Sequence, residues 1–393
     1  MSTTSAPPAY RTVVRTPGMG GWTLGVLCQR LPIAMAPLAL VYVGHVAGSY
    51  AVGALLAAVF AAAEAVAAGP MGRRFDRRPA RSEIRLVLCV QAVLLLALAG
   101  STLAATPVWL LVLLSAAAGA VASGAHGGLR AVLVRTVEPA AHHAALSLES
   151  TLTTLLWAVG PAIVGLVTLV AGAGWAVALI AAIAAAGVLA AGLLLDAAPV
   201  HRDPTVTVRI WGRTWPALLQ EGAVMVCVGA AYTGLPSLLE AVGSDATTAG
   251  PVLAVFAVAG LVGGLAYGSR TWPGSYRTQS TVLVLAVAAV LALAVVMPTA
   301  GVIGTLVVLA GFAGTPALTA RAAGVQELLP EPSWAAGFSG LYAAGGVGFG
   351  AAGIVLAGLL EPLGARAALL ACVAVAAIAA VVGSVAERRV VRQ

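Results

Sequence analysis

Charge is what this chain has least of. Only 9% of its 393 residues are Asp, Glu, Lys or Arg, and all 21 basic residues are Arg. A soluble domain carries about 25% charged residues, which wet its surface. Here 21 basic and 14 acidic residues cannot cover a core of this size, which disfavours a soluble enzyme, a nucleic-acid binder and a disordered chain. Without Lys there is no G-x-x-x-x-G-K-[ST] phosphate loop, so this chain alone is not an ATP-driven pump. Cys28, Cys89, Cys227 and Cys372 each sit in an apolar stretch far from the others, with no CxxC, disulfide or metal spacing. No His, Cys or Asp set has the spacing of metal ligands, and no cofactor is expected. The net charge of +7 comes from arginines flanking apolar runs and points to no nucleic-acid partner. What is present is hydrocarbon: 61% hydrophobic residues with 46 Gly besides, and a mean hydropathy of +1.01. That composition belongs to an integral membrane protein with many spans.

A helix crosses about 30 Å of hydrocarbon with about 20 apolar residues. Twelve such stretches run along the chain, near 20–44, 48–71, 84–104, 107–129, 145–171, 174–196, 215–240, 247–268, 278–298, 300–323, 334–360 and 364–386. They are unbroken rather than alternating, so they read as helices and not barrel strands. Eighteen arginines fall on one side of this layout and only Arg366 on the other, while Arg30 and Arg321 lie within spans. The excess of positive charge marks the cytoplasmic side and puts both termini there. Met1 to Pro17 is polar, has no cleavage site before an apolar core, and reads as a short disordered tail.

The longest connection, 197–214, divides the chain into halves of six spans. The organisation expected is a cytoplasmic tail 1–19, a six-helix bundle 20–196, a cytoplasmic linker 197–214, a second six-helix bundle 215–386 and a cytoplasmic tail 387–393. Glu138-Pro139 recurs as Glu331-Pro332, Gly160 as Gly353, and Gly165-Leu166 as Gly358-Leu359, all at an offset of 193. Gly72, Arg74 and Arg81 recur as Gly268, Arg270 and Arg277 at an offset of 196. Two parallel repeats suggest a transporter with its cavity between them.

With these features in place the chain resembles the major facilitator superfamily along nearly its whole length. The sharpest local likeness is the loop after the second span, where Gly72, Asp76, Arg77 and Arg81 match the family's G-x-x-x-D-R-x-G-R-R element, with Pro79 and Ala80 as departures. The resemblance implies a latch at the interface of the halves, Asp76 capping a helix of the other half; the plain alternative is a cluster of positive-inside arginines. Gly160, Pro161 and Gly165 partly match the G-P-x-x-G-G element of drug/proton antiporters in that family. Physically, Gly and Pro there thin and kink a helix for close packing. The resemblance implies an all-α fold of twelve transmembrane helices in two six-helix pseudo-repeats.

An ionisable group inside a span costs at least about 2.5–3.5 kcal/mol, so it needs a partner or a task. Arg30 lies seventeen residues before the turn near Ala47 and Glu64 seventeen after it, so the two share a depth. His126 and Glu149 are likewise symmetric about Val137/Glu138. These four form a candidate polar cluster, either a structural ion pair of Arg30 with Glu64 or Glu149, or a proton or substrate site. One Arg facing two carboxylates leaves one uncompensated; Glu149 is the first choice for a proton carrier and Glu64 the second. Glu221 is a possible counterpart in the second half. Arg130 and Arg321 sit near span ends and read as snorkelling residues, Arg130 also within reach of Glu149. Tyr42, Trp157, Tyr232 and Tyr342 occupy spans 1, 5, 7 and 11 and are candidates to line a cavity, packing or lipid contact being the alternative.

The expectation is a monomeric secondary active transporter in the inner (plasma) membrane, not an enzyme, exporting a small organic molecule such as a drug or secondary metabolite in exchange for protons. An importer or uniporter of a nutrient, or a non-transporting membrane sensor, is the alternative.

Overall fold

The computed structural model describes residues 9–104, 106–138, 141–194, 211–268, 272–329 and 334–391. Among them the chain is helical throughout. A short helix, α1 (Ala9–Arg15), precedes α2 (Met19–Ala47), α3 (Tyr50–Arg77), α4 (Ala80–Ser101), α5 (Val108–Thr136), α6 (His142–Ala171) and α7 (Ala173–Ala190). The second half holds α8 (Trp211–Ala241), α9 (Ala249–Gly268), α10 (Tyr276–Val296), α11 (Ala300–Leu328) and α12 (Trp334–Val391). The N-terminal tail is therefore not uniformly without structure, because α1 packs on α2 and α6 and buries Val13. Most of the connector 197–214 lies outside the described residues, and α8 already begins at Trp211.

Eleven of these helices are long and apolar enough to cross a membrane. The eleventh is two segments in one. Its 58 residues would make a rod of roughly 87 Å, far beyond the width of a bilayer. Gly364 breaks it with φ 78° and ψ 169°, a conformation open to glycine and closed to residues with a Cβ. The chain folds back there, so that the Cys372 thiol meets the Ala352 carbonyl at 3.6 Å across the two arms. With the first arm (334–363) and the second (365–391) separated, twelve apolar helical segments stand side by side.

The segments sort into two bundles with a symmetric seam. Within the first half α2 packs on α3, α5, α6 and α7; within the second α8 packs on both arms of α12, and α10 and α9 on α11. Between halves the main contacts are α3 with the first arm of α12, and α6 with α9. These are the second segment of one half against the fifth of the other, twice over. The seam is built from small side chains. A Cβ on Gly353 would sit 2.6 Å from the Ala58 Cβ, and one on Gly346 2.8 Å from the Ala65 Cβ. A Cβ on Gly250 would sit 2.5 Å from the Pro161 carbonyl oxygen and 2.8 Å from the Gly165 Cα. Side-chain volume is absent where backbones approach, which is how helices associate tightly when lipid is as apolar as they are.

The seam is tied at the end of the molecule that carries Gly364. There the Tyr42 hydroxyl donates to the Ala246 carbonyl at 2.8 Å and the Ser49 hydroxyl to the Glu361 carboxylate at 2.7 Å, both bonds crossing between halves. Asp245 caps the turn before α9; the Thr247 hydroxyl and amide bind its exposed carboxylate and hold it below the usual range.

Candidate functional site

The first half carries a buried charge knot. Arg30 of α2 is 4% exposed and Glu149 of α6 is fully buried. The Arg30 Nη2 pairs with Glu149 Oε1, and its Nη1 reaches the hydroxyl of Thr153, one turn further along the same face of α6. The other oxygen, Glu149 Oε2, takes Arg130 Nε from α5 at 2.7 Å. Two guanidiniums thus converge on one carboxylate. The expected count, one Arg facing two carboxylates, is reversed: of its two candidate partners Arg30 takes Glu149, and the half-exposed Arg130 makes the pair with Glu149 that is the alternative to snorkelling. Glu149 is compensated twice, which removes the reason for ranking it first as a proton carrier. His126 lies outside the described side chains.

The second half carries a knot that sequence reasoning missed. Arg321 of α11 is fully buried, not snorkelling. Its Nη1 and Nη2 bind the two oxygens of Glu387, on the second arm of α12, at 2.9 and 3.0 Å, and Nη1 also reaches Gln220 Oε1 of α8 at 3.1 Å. A bidentate pair sealed from solvent is costly to break, because one partner then stays buried and uncompensated. Arg321→Ala is expected to lose about 3–5 kcal/mol of stability, read as thermal unfolding of the detergent-solubilised protein. Arg321→Met with Glu387→Leu should recover most of that loss. A single variant as stable as the parent would refute the structural role.

Between the halves the arrangement differs. Tyr342, on the first arm of α12, is 43% exposed and donates its hydroxyl to Glu64 Oε1 of α3 at 3.0 Å. Glu64 is half-buried and forms no ion pair among the described residues. The Arg30 guanidinium lies within electrostatic reach of Tyr342. On the other flank of the same turn, Glu221 Oε1 of α8 is 4.0 Å from where a Cβ of Gly345 would stand. Glu221 also forms no ion pair among the described residues. The structure thus brings Glu64 and Tyr342 together across the seam, with Glu221 beside Gly345 on the neighbouring face of the same turn of α12.

Towards the Gly364 end, aromatics close the gap. The Tyr232 ring of α8 stands edge-on to Trp157 of α6 at 5.7 Å and to Phe256 of α9 at 6.1 Å, and is tilted against Phe349 of α12 at 6.1 Å. Its hydroxyl points to the Trp157 carbonyl at 3.4 Å. Tyr232 is 2% exposed, so it plugs the gap rather than lining an open wall. Tyr42, 4% exposed and bonded to Ala246, is likewise a seal. Of the four aromatic candidates Tyr342 is the most exposed, Trp157 being part-buried. Pro161 and Gly165 face Gly250 of the opposite half, while Gly160 faces Ala34 and Met35 of α2.

Gly72, Asp76 and Arg77 lie outside the described side chains. Arg81 is described, and its Nε donates to the Leu194 carbonyl at 3.0 Å, clipping α4 to the end of its own half. Glu83, 2% exposed and not singled out from the sequence, pairs with Arg74, and its Oε2 lies 3.6 Å from Arg78 Nη1.

Two six-segment bundles around a polar seam have a known counterpart. A family profile described as Major Facilitator Superfamily matches residues 22–314. The chain belongs to the major facilitator superfamily. It is a multi-pass membrane protein with a transporter's fold rather than an enzyme's. Solved structures agree on that fold. A bacterial homologue of the human lysosomal transporter Spinster, in an inward-facing and occupied conformation, superposes with a TM-score of 0.74 at 17% identity over 98% of each chain. A POT family transporter in complex with a thioalcohol-conjugated peptide gives 0.74 at 12% identity, over 96% of this chain and 99% of that one. The nucleoside transporter NupG gives 0.65 at 14%, over 93% and 99%. No functionally curated protein matches by sequence.

Proposed function

We propose that this chain is a proton-coupled secondary transporter that exports a small organic molecule across the inner membrane by rocking its two bundles about the seam. The observation that carries the reading is the Tyr342–Glu64 contact: a carboxylate of one half, with no cation paired to it among the described residues, bonded to a half-exposed tyrosine of the other. Protonating Glu64 removes the charge that Tyr342 donates to, so one proton changes a bond between the parts that must move. Two further ionisable groups lie near this bond: Arg30 of α2, bound to Glu149 and within electrostatic reach of Tyr342, and Glu221 of α8, beside Gly345 one turn along α12.

The arginine asymmetry favours a cytoplasmic location for both tails and for the 197–214 linker. The Gly364 end, tied by Tyr42 and Ser49, would then face outwards, and the structure would correspond to a state closed outside and open inside. The halves at 20–196 and 215–386 act within one monomer. Lacking Lys and any nucleotide loop, the chain draws its driving force from an ion gradient in this reading.

The test is flux in proteoliposomes with an imposed pH difference, read for a panel of small organic solutes, with reporter fusions fixing the side of each terminus. Accumulation that follows the pH difference and collapses with a protonophore is expected. Flux indifferent to the protonophore would replace antiport with uniport, and termini on opposite faces would overturn the layout.

A further inference from the structure

The Gly364 end holds a polar assembly that the transport reading does not use, and its two walls differ in charge. In the first half the connections at this end, 44–53, 100–108 and 168–175, contain one residue that gains or loses charge near neutral pH, His45. In the second half 240–246, 296–302 and 359–368 contain Glu240, Asp245 and Glu361 against a single Arg366. That arginine is turned to the Met297 carbonyl of its own half, at 3.4 Å. We propose that this end is an acid-operated clasp, in which protonated His45 draws the first half onto the carboxylates of the second and holds the end shut.

The geometry puts the imidazole at the join. The exposed His45 ring, near the end of α2, lies flat on the Tyr50 ring at the start of α3, with centroids 4.0 Å and planes 15° apart. Both line one cavity of about 380 Å³ with Glu240 and Asp245 of the second half. The Tyr50 hydroxyl is within hydrogen-bonding reach of the Glu240 carboxylate. Tyr42 also lines this cavity, its hydroxyl given to the Ala246 carbonyl, and the α6–α7 corner adds only uncharged Thr168, Gly172 and Ala173. On the other flank of Tyr50, a cavity of about 350 Å³ holds Ser49 and Glu361, whose bond already crosses the halves.

Histidine is the side chain whose charge ordinarily changes between about pH 5 and 8, a window in which carboxylates are already ionised. Asp245 is fixed in its ionised form by the Thr247 amide and hydroxyl. Acid therefore adds a positive charge to a wall that has none, while the opposite wall keeps its negative charges. The Tyr50 face, which attracts a cation, belongs to the same half as His45 and holds the imidazolium in place whether the end is open or shut. Attraction to Glu240 and Asp245 exists only when the halves meet, so protonation moves the balance towards the closed form.

The experiment measures the distance between nitroxides on Leu103→Cys and Thr299→Cys, exposed positions at this end of the two halves, by pulsed electron resonance on the full-length protein in detergent. Cys89 is replaced by Ser, and the other native cysteines are buried. The parent and a Gly250→Leu variant, whose closed form is strained, are both read. Between about pH 8 and about pH 5.5 the ratio of the short to the long distance is expected to rise at least about threefold in one or both. His45→Gln should abolish that rise, and His45→Arg should give the acid ratio at both pH values. His45 is exposed, so neither change disturbs the core. A ratio that ignores pH in both backgrounds would overturn the proposal. So would a rise that survives His45→Gln, which would assign the effect to another group such as Glu64. The distances are read without flux, so loss of the clasp leaves the transport reading standing, and absence of transport leaves the clasp standing.

Discussion

Glu64→Gln is expected to abolish transport driven by a pH difference while leaving a folded, well-expressed protein. Gln has the shape of Glu and keeps an oxygen for the Tyr342 hydroxyl to donate to, so the contact across the seam survives. What it loses is the proton that can leave. Flux under a pH gradient should fall to the level of empty liposomes, and exchange of substrate at equal pH should persist. Glu149→Gln makes the contrast. It strips Arg30, 4% exposed, of its ion pair and relaxes the hold on Arg130. The loss is on the order of 3–5 kcal/mol of stability, and it shows as poor yield and early unfolding. A Glu149→Gln protein that is stable but uncoupled, beside a Glu64→Gln protein that still follows the gradient, would exchange the two roles.

Gly250→Leu should hold the Gly364 end open. The new Cβ would come within 2.5 Å of the Pro161 carbonyl oxygen and 2.8 Å of the Gly165 Cα. Both are backbone atoms and cannot step aside as a flexible side chain would. Overpacking of this kind costs roughly 1–3 kcal/mol, and the strain exists only when α6 and α9 are together. Every 1.4 kcal/mol is about a tenfold change in a two-state population, so the closed form loses its majority. The measurement is labelling of a cysteine placed at Val164, fully buried beside Gly165, by a membrane-impermeant maleimide. Cys89, exposed, is first replaced by Ser; the other native cysteines are buried. Rapid labelling and lost transport are expected in the Gly250→Leu background, with neither in the parent. Equal labelling in both, with transport intact, would show that the seam has room to spare.

The spans and the halves were legible because each depends on local composition: apolar runs, turn glycines and flanking arginines. The partners of buried charges were not, because hairpin counting fixes depth and leaves direction around the helix open. Arg30 and Glu64 share a depth, yet Glu64 faces Tyr342 on the other half and Arg30 faces α6. Arg321 and Glu387 had no such rule at all, since α11 and the second arm of α12 are not neighbours in sequence. Both helices also run past the apolar stretch, to Leu328 and Val391, so residues near the expected water interface are inside a packed bundle. One signal was available: an Arg and a Glu at the same end of two spans of one half.

The join of Gly346, Gly350 and Gly353 with Ala54, Ala58 and Ala65 has no interlocking bulk. Two surfaces meshed by large side chains must come apart in one stroke, every tooth leaving its socket together. Two smooth surfaces can peel turn by turn, uncovering only a methyl group at each step. In the proposed transport cycle such a contact would let the bundles part and rejoin in small steps, and the aromatic cluster around Tyr232 would be what closes the way through.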